Sequence, residues 1–127
     1  MQTAGGSDFP LISDDAEDVG VSLAEAQAGQ SALTDEKLYE AIGDDMEKGP
    51  LVGSLHLEQR PTNRPGRILL DATFVFDNGE VVRLIGTVPG EGEWMGEGKV
   101  GYAGGTGKFK DRRGEVTVKV QNPKRWG

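Results

Sequence analysis

From residue 50 onward, apolar and polar side chains change places at every second residue, and this alternation limits the architectures open to the chain. PLVGSLHLEQR (50–60) sets Leu51, Gly53, Leu55 and Leu57 against Val52, Ser54, His56 and Glu58. RILLDATFVF (67–76) lines up Ile68, Leu70, Ala72, Phe74 and Phe76. EVVRLIGTV (80–88) follows, then EWMGEGKVGYA (93–103), with Trp94, Gly96, Gly98, Val100 and Tyr102 opposite Met95, Glu97, Lys99 and Gly101. RGEVTVKVQ (113–121) puts Val116, Val118 and Val120 on one face. Successive side chains of an extended strand point to opposite sides, so a period of two means strands with one buried face. The connections PTNRPG (61–66), DNGE (77–80) and Pro89-Gly90 are short, and no helical segment intervenes. That describes an antiparallel meander. Asn78-Gly79 predicts a two-residue type I′ hairpin, whose central residues both need positive φ.

A sheet of this kind has to close on itself or be covered, because free strand edges template aggregation. The chain has 20 glycines, and Gly53, Gly86, Gly96, Gly98 and Gly101 fall inside strands, where glycine marks coiling and close backbone approach. The expectation is an all-β, closed antiparallel β-barrel of about eight strands, with an N-terminal arm or short helix over one end. AGGTGKF (103–109) then reads as a barrel corner, with Phe109 inserting apolar bulk. Nucleotide readings of this stretch fail. Counting back from Gly107-Lys108 puts Tyr102 where a phosphate loop needs its first glycine, and Phe109 where it needs a hydroxyl. GEGKVG (96–101) satisfies G-x-G-x-x-G, but YAGGTG follows it, and each glycine costs a helix about 1 kcal/mol.

The first fifty residues read differently. They carry 12 acidic and 2 basic side chains, net −10, whereas residues 51–127 carry 9 acidic and 12 basic, net +3. An acidic arm on a mildly basic body suggests that residues 1–33 form an arm or lid and residues 34–127 the barrel domain. DFPLI (8–12) is an apolar patch within that arm and an anchor for the barrel mouth. TDEKLYEAIGDDM (34–46) fits a helix capped by Thr34, with Leu38, Ile42 and Met46 spaced by four. A strand and turn fits equally.

The remaining composition works by exclusion. The longest apolar runs fall far short of the roughly 20 residues of a membrane span. The N-terminus shows neither a basic region nor an apolar core of a secretory signal, and there are no cysteines, so the reading is cytoplasmic. A sequence pI near 4.7 without a basic stripe argues against nucleic acid. One histidine and no cysteine give a metal site little to work with. The acidic clusters at 14–18 and 44–47 lack a calcium-loop pattern and read as solvated faces. Expected cofactors are therefore none, metal included. His56 has no Ser and Asp at motif spacing to make a triad.

GGTGKFKDRRGEVTV (104–118) resembles the allene oxide cyclase barrel family, to which plant dirigent proteins are also similar. The matching residues are Gly104, Gly105, Thr106, Gly107, Lys108 and Phe109, then Arg113, Gly114, Glu115 and Val116. KLYE (37–40), GPLVGS (49–54) and DATFVFDNGEVVRLIGTV (71–88) look like the family's early strands, so the resemblance spans about residues 37–121. It implies a calycin-like barrel. Secreted dirigent proteins and plastid cyclases carry targeting segments that this N-terminus lacks. The similarity that remains is to small bacterial spirotetronate and spirotetramate cyclases, some with an N-terminal segment over the mouth. The resemblance thus implies a cofactor-independent Diels–Alderase that cyclises a linear polyene tetronate or tetramate, a small hydrophobic polyketide-type substrate, within a homodimer.

A cycloaddition needs a diene and dienophile held in near-attack geometry, which can contribute about 7–11 kcal/mol, and donors on the activating carbonyls. Candidate polar groups are Tyr39, His56, Glu58, Arg83 and Gln121. Candidate substrate-binding walls are Phe74, Phe76, Trp94, Met95 and Tyr102, with Phe9, Leu11 and Ile12 from the arm. Each aromatic also fits an ordinary core. His56 opposes Leu55 and Leu57. It faces the lumen if those leucines turn outward into a dimer, and solvent if they turn inward. Arg83 shares a phase with Val81 and Ile85, which calls for a partner or a ligand. Trp126 reads as a plug at a strand end. Two other roles fit the same residues, a calycin-like carrier of an apolar small molecule and a barrel packed solid, and the resemblance also implies an allene-oxide-cyclase-like isomerase as an alternative activity.

Overall fold

The computed structural model describes residues 2–4, 11–22, 25–43, 45, 47–62, 66–91, 94–95 and 97–119. Nine strands form among them: β1 (Gln2–Ala4), β2 (Leu11–Val19), β3 (Ala32–Ile42), β4 (Glu47–Pro61), β5 (Arg67–Phe76), β6 (Val81–Glu91), β7 (Trp94–Met95), β8 (Glu97–Gly105) and β9 (Glu115–Lys119). Among the described residues the one helical element is a 3-10 turn, Gly107–Phe109. All pairings are antiparallel, in the order β5-β4-β3-β2-β1-β9-β8-β6-β7, and β5 also pairs with β6. None of the described residues forms a helix long and apolar enough to cross a membrane.

The alternation read from residue 50 is realised face by face. In β5, Ile68, Leu70, Ala72 and Phe74 are buried, and in β6 so are Val82, Leu84 and Val88. Together with Leu38, Leu55, Leu57, Val100, Val116 and Val118 they belong to a single core cluster. Each such side chain contributes about 1.5–3 kcal/mol by leaving water. Gly53 is required by this packing, since a Cβ there would run into the Val75 carbonyl oxygen of the neighbouring strand.

The DNGE segment is a hairpin of a different type from the one expected. Gly79 has φ 90°, whereas Asn78 is not in the positive region. Gly79 N–H donates to the Phe76 carbonyl at 2.9 Å, and Phe76 N–H to the Glu80 carbonyl at 2.9 Å. The loop therefore has three residues with one left-handed glycine, because the Asn78 side chain accepts from Glu80 N–H at 2.9 Å and holds the tighter turn open.

GGTGKF is a corner, as expected. Gly104 and Gly107 adopt φ of 137° and 58°, Thr106 N–H donates to the Val81 carbonyl at 2.8 Å, and Phe109 enters the core beside Phe76 at 5.4 Å between ring centroids.

The N-terminal half settles one open reading and corrects another. Of the helix and strand readings of 34–46, the helix does not form among the described residues: β3 takes up Ala32–Ile42 and pairs with β2 and β4, leaving Ile42 exposed. Nor do the described parts of residues 1–33 lie across an end as an arm. β1 pairs with β2 and β9, and β2 pairs with β3 across the expected boundary at 33/34. Leu11 and Ile12 are buried in consequence. Strand formation satisfies every backbone polar group of a segment, which charge attraction between an arm and a surface does not. Phe9, Gly96, Val120, Gln121 and Trp126 lie outside the described residues.

Candidate functional site

Leu55 and Leu57 point inward, so His56 points outward, and the dimer route through those leucines closes. Register then assembles a polar row across the outer surface. Asp35 of β3 pairs with His56 of β4, which pairs with Thr73 of β5, which pairs with Arg83 of β6. The next outward row runs Leu33, Glu58, Asp71, Ile85. Apart from Ile85, these rows line an open groove of about 370 Å³, rimmed by the exposed side chains of Val19 and Leu33. Three of the five polar candidates, His56, Glu58 and Arg83, thus meet on one surface outside the core.

Each of them has a partner there. His56 Nδ1 lies 2.7 Å from Asp35 Oδ1. Arg83 is held in a two-pronged pair, with Nε 2.9 Å from Asp71 Oδ1 and Nη2 on Oδ2, and that carboxylate raises the guanidinium pKa further. Glu58 accepts from Arg60 Nη2 at 2.9 Å and from Ser31 Oγ. The odd phase of Arg83 is explained by Asp71.

Tyr39 sits apart. Its hydroxyl donates to Asp15 Oδ2 at 2.8 Å, beside the bulge in β2 where Asp15 has φ 57°. Keeping its proton in that bond raises its pKa. Lys48 Nζ lies 4.4 Å from the Tyr39 ring centroid and 3.0 Å from Asp14. The Asp15 N–H, and then Lys48, hold the Asp14 carboxyl below its ordinary range.

The expected wall residues divide. Phe74 is fully buried in the core, and Phe76 and Tyr102 pack against it, so these three are core side chains. Trp94 and Met95 form β7, whose backbone pairs with Gly90 and Glu91 of β6. Among the described residues no group of three acidic, histidine or cysteine side chains is arranged to hold a metal ion.

A second polar group faces the other way. β3 alternates Ala32, Thr34, Glu36 and Leu38 toward the core, opposite Gln59, Leu57, Leu55 and Gly53 of β4. Glu36 is half-buried there and accepts from Ser13 Oγ at 3.1 Å and from Thr34 Oγ1 at 3.4 Å. Ser13 and Gln59 are the buried polar residues of the described chain. A carboxylate and two hydroxyls thereby form a hydrogen-bonded set on an otherwise apolar inner surface, with the Gln59 amide further along it, opposite Ala32. The β3 and β4 members carry a signal in the sequence, as Thr34 and Glu36 keep the phase of Ala32 and Leu38, and Gln59 that of Leu55 and Leu57. Ser13 reaches it through a strand that reads as an acidic arm.

No family model, curated protein or solved structure matches this chain.

Proposed function

We propose that the circular pairing of β1–β6, β8 and β9 closes a calycin-like barrel, and that the chain is a cofactor-independent cyclase. Its substrate class is a linear polyene tetronate or tetramate, and its reaction an intramolecular Diels–Alder cycloaddition. The observation that carries the reading is the inner polar group of Ser13, Thr34, Glu36 and Gln59 on an apolar surface. A small-molecule site needs that combination: apolar walls for area and a few polar groups for orientation. The substrate head would exchange hydrogen bonds with Glu36 and take donors from the hydroxyls and the Gln59 amide onto its activating carbonyl. The polyene would fold against the apolar strand faces that adjoin these polar residues. The resemblance of residues 104–118 to cyclase barrels supports the same reading, and these residues form the corner that seats Phe109.

A non-catalytic carrier is the second reading, since a few polar groups on an apolar surface would also orient a bound ligand without transforming it. Incubation with a linear polyene tetramate, followed by chromatography and mass spectrometry, separates the two. A cyclase gives a product of unchanged mass that has lost its conjugated absorbance, faster than buffer. A carrier returns the substrate unchanged.

A further inference from the structure

The sequence offers His56 no serine or aspartate at any motif spacing, but the fold brings both to it. Asp35, its register partner on β3, places Oδ1 2.7 Å from Nδ1. Ser54, two residues earlier on the same face of β4, places Oγ 3.5 Å from Nε2. Nδ1–H donating to the carboxylate leaves the Nε2 lone pair aimed at the serine, the arrangement of an acyl-transfer triad. Lys37 is the register partner of Ser54 across β3 and brings an ammonium to that outer row. The groove that begins at His56 runs on past Glu58 to the apolar rim of Val19 and Leu33.

We propose that Ser54, His56 and Asp35 form an esterolytic site on the outer face, independent of the inner polar group, for small esters with an apolar acyl chain. Ser54 Oγ attacks the ester carbonyl carbon as its proton passes to His56 Nε2. The carbon–oxygen bond to the alcohol breaks, and the alkoxide takes that proton from Nε2. Water then attacks the acyl-serine, giving its proton to Nε2. The acyl–Oγ bond breaks, Ser54 regains the proton, and a carboxylic acid leaves. Asp35 is a positioning residue that fixes the imidazole tautomer, and Lys37 faces the developing oxyanion. The 3.5 Å serine contact closes by rotation about χ1, as catalytic hydrogen bonds do when substrate binds. Both His56 and Asp35 are more than half exposed, so the general-base contribution belongs at the low end of its range, about a hundredfold.

The test is hydrolysis of 4-nitrophenyl butyrate by the full chain, with intact-mass and peptide analysis of the protein during turnover. The expected result is a single butyryl adduct on Ser54, absent from Ser54→Ala, with the rate constant falling at least tenfold in Ser54→Ala and in His56→Ala. Asp35→Asn slows acylation, and Asp35→Glu restores much of it. All three substituted positions are on the outer face, and circular dichroism verifies the fold of each of the four variants. Hydrolysis by Ser54→Ala at the wild-type rate, or no adduct on Ser54, overturns the proposal, because an exposed imidazole acting alone accounts for either result. Cyclisation of a polyene tetramate by Ser54→Ala is unaffected in either case, so the two sites stand or fall separately.

Discussion

The inner and outer faces of β3 and β4 are built from neighbouring residues and obey opposite rules. On the outer face most charged side chains of this surface meet a partner: Asp35 with His56 and Arg83 with Asp71 across neighbouring strands, and Arg60 with Glu58 along β4. These pairs are solvated, and exposed ion pairs contribute little to folding. On the inner face polar groups are few, and Glu36 has hydroxyl rather than cationic partners. What one position gains or loses depends on which way a strand residue points, and a one-residue shift of register would exchange the two sets.

The comparison breaks most visibly at adjacent positions of β4. Leu55→Ala should lower unfolding free energy by about 2–5 kcal/mol. His56→Ala, one residue along, should change it by no more than about 0.5 kcal/mol. Urea titrations of the two variants measure the contrast, and comparable losses would mean the faces are misassigned. Gly53→Ala comes next, at about 1–3 kcal/mol, because the added methyl meets backbone rather than a movable side chain.

Much of this division was legible in the sequence, and the reasons are local. Alternation in 67–76 and 80–88 identified Leu70, Ala72 and Phe74 as one face, and Gly104 to Phe109 as a corner, since side-chain direction and turn chemistry are set by nearest neighbours. β1 and β2 were hidden. Residues 14–18 are four acids around one alanine, and they extend only because β3 offers a paired edge. The catalytic-type arrangement of Ser54, His56 and Asp35 was hidden for the same reason, as Asp35 reaches His56 through strand register and not through sequence spacing. Residue type drew attention to Glu58, and an odd phase to Arg83, and their partners Arg60 and Asp71 then account for them.

The smallest expected effect is acid sensitivity at the β2 bulge. Asp14 has its pKa held below the ordinary 3.8 by the Asp15 N–H and Lys48. A depressed carboxylate stabilises the fold above its unfolded pKa, and the contribution is lost as pH falls through the folded value. Asp14→Asn should therefore leave stability at pH 3 nearly unchanged relative to wild type while lowering it slightly at pH 6, as read by thermal melts across that range. An equal difference at both pH values would remove Asp14 from the acid response.

The central claim is that the small-molecule site belongs to the inner face, and it is tested most directly by paired substitutions, one on each face. Turnover of a linear polyene tetramate is measured for wild type, Glu36→Gln and Arg83→Ala, each confirmed as folded. The account predicts that Glu36→Gln loses at least tenfold in rate, since one lost charged hydrogen bond in the transition state is worth that much, whereas Arg83→Ala stays within twofold. Equal losses, or a loss confined to Arg83→Ala, would contradict it.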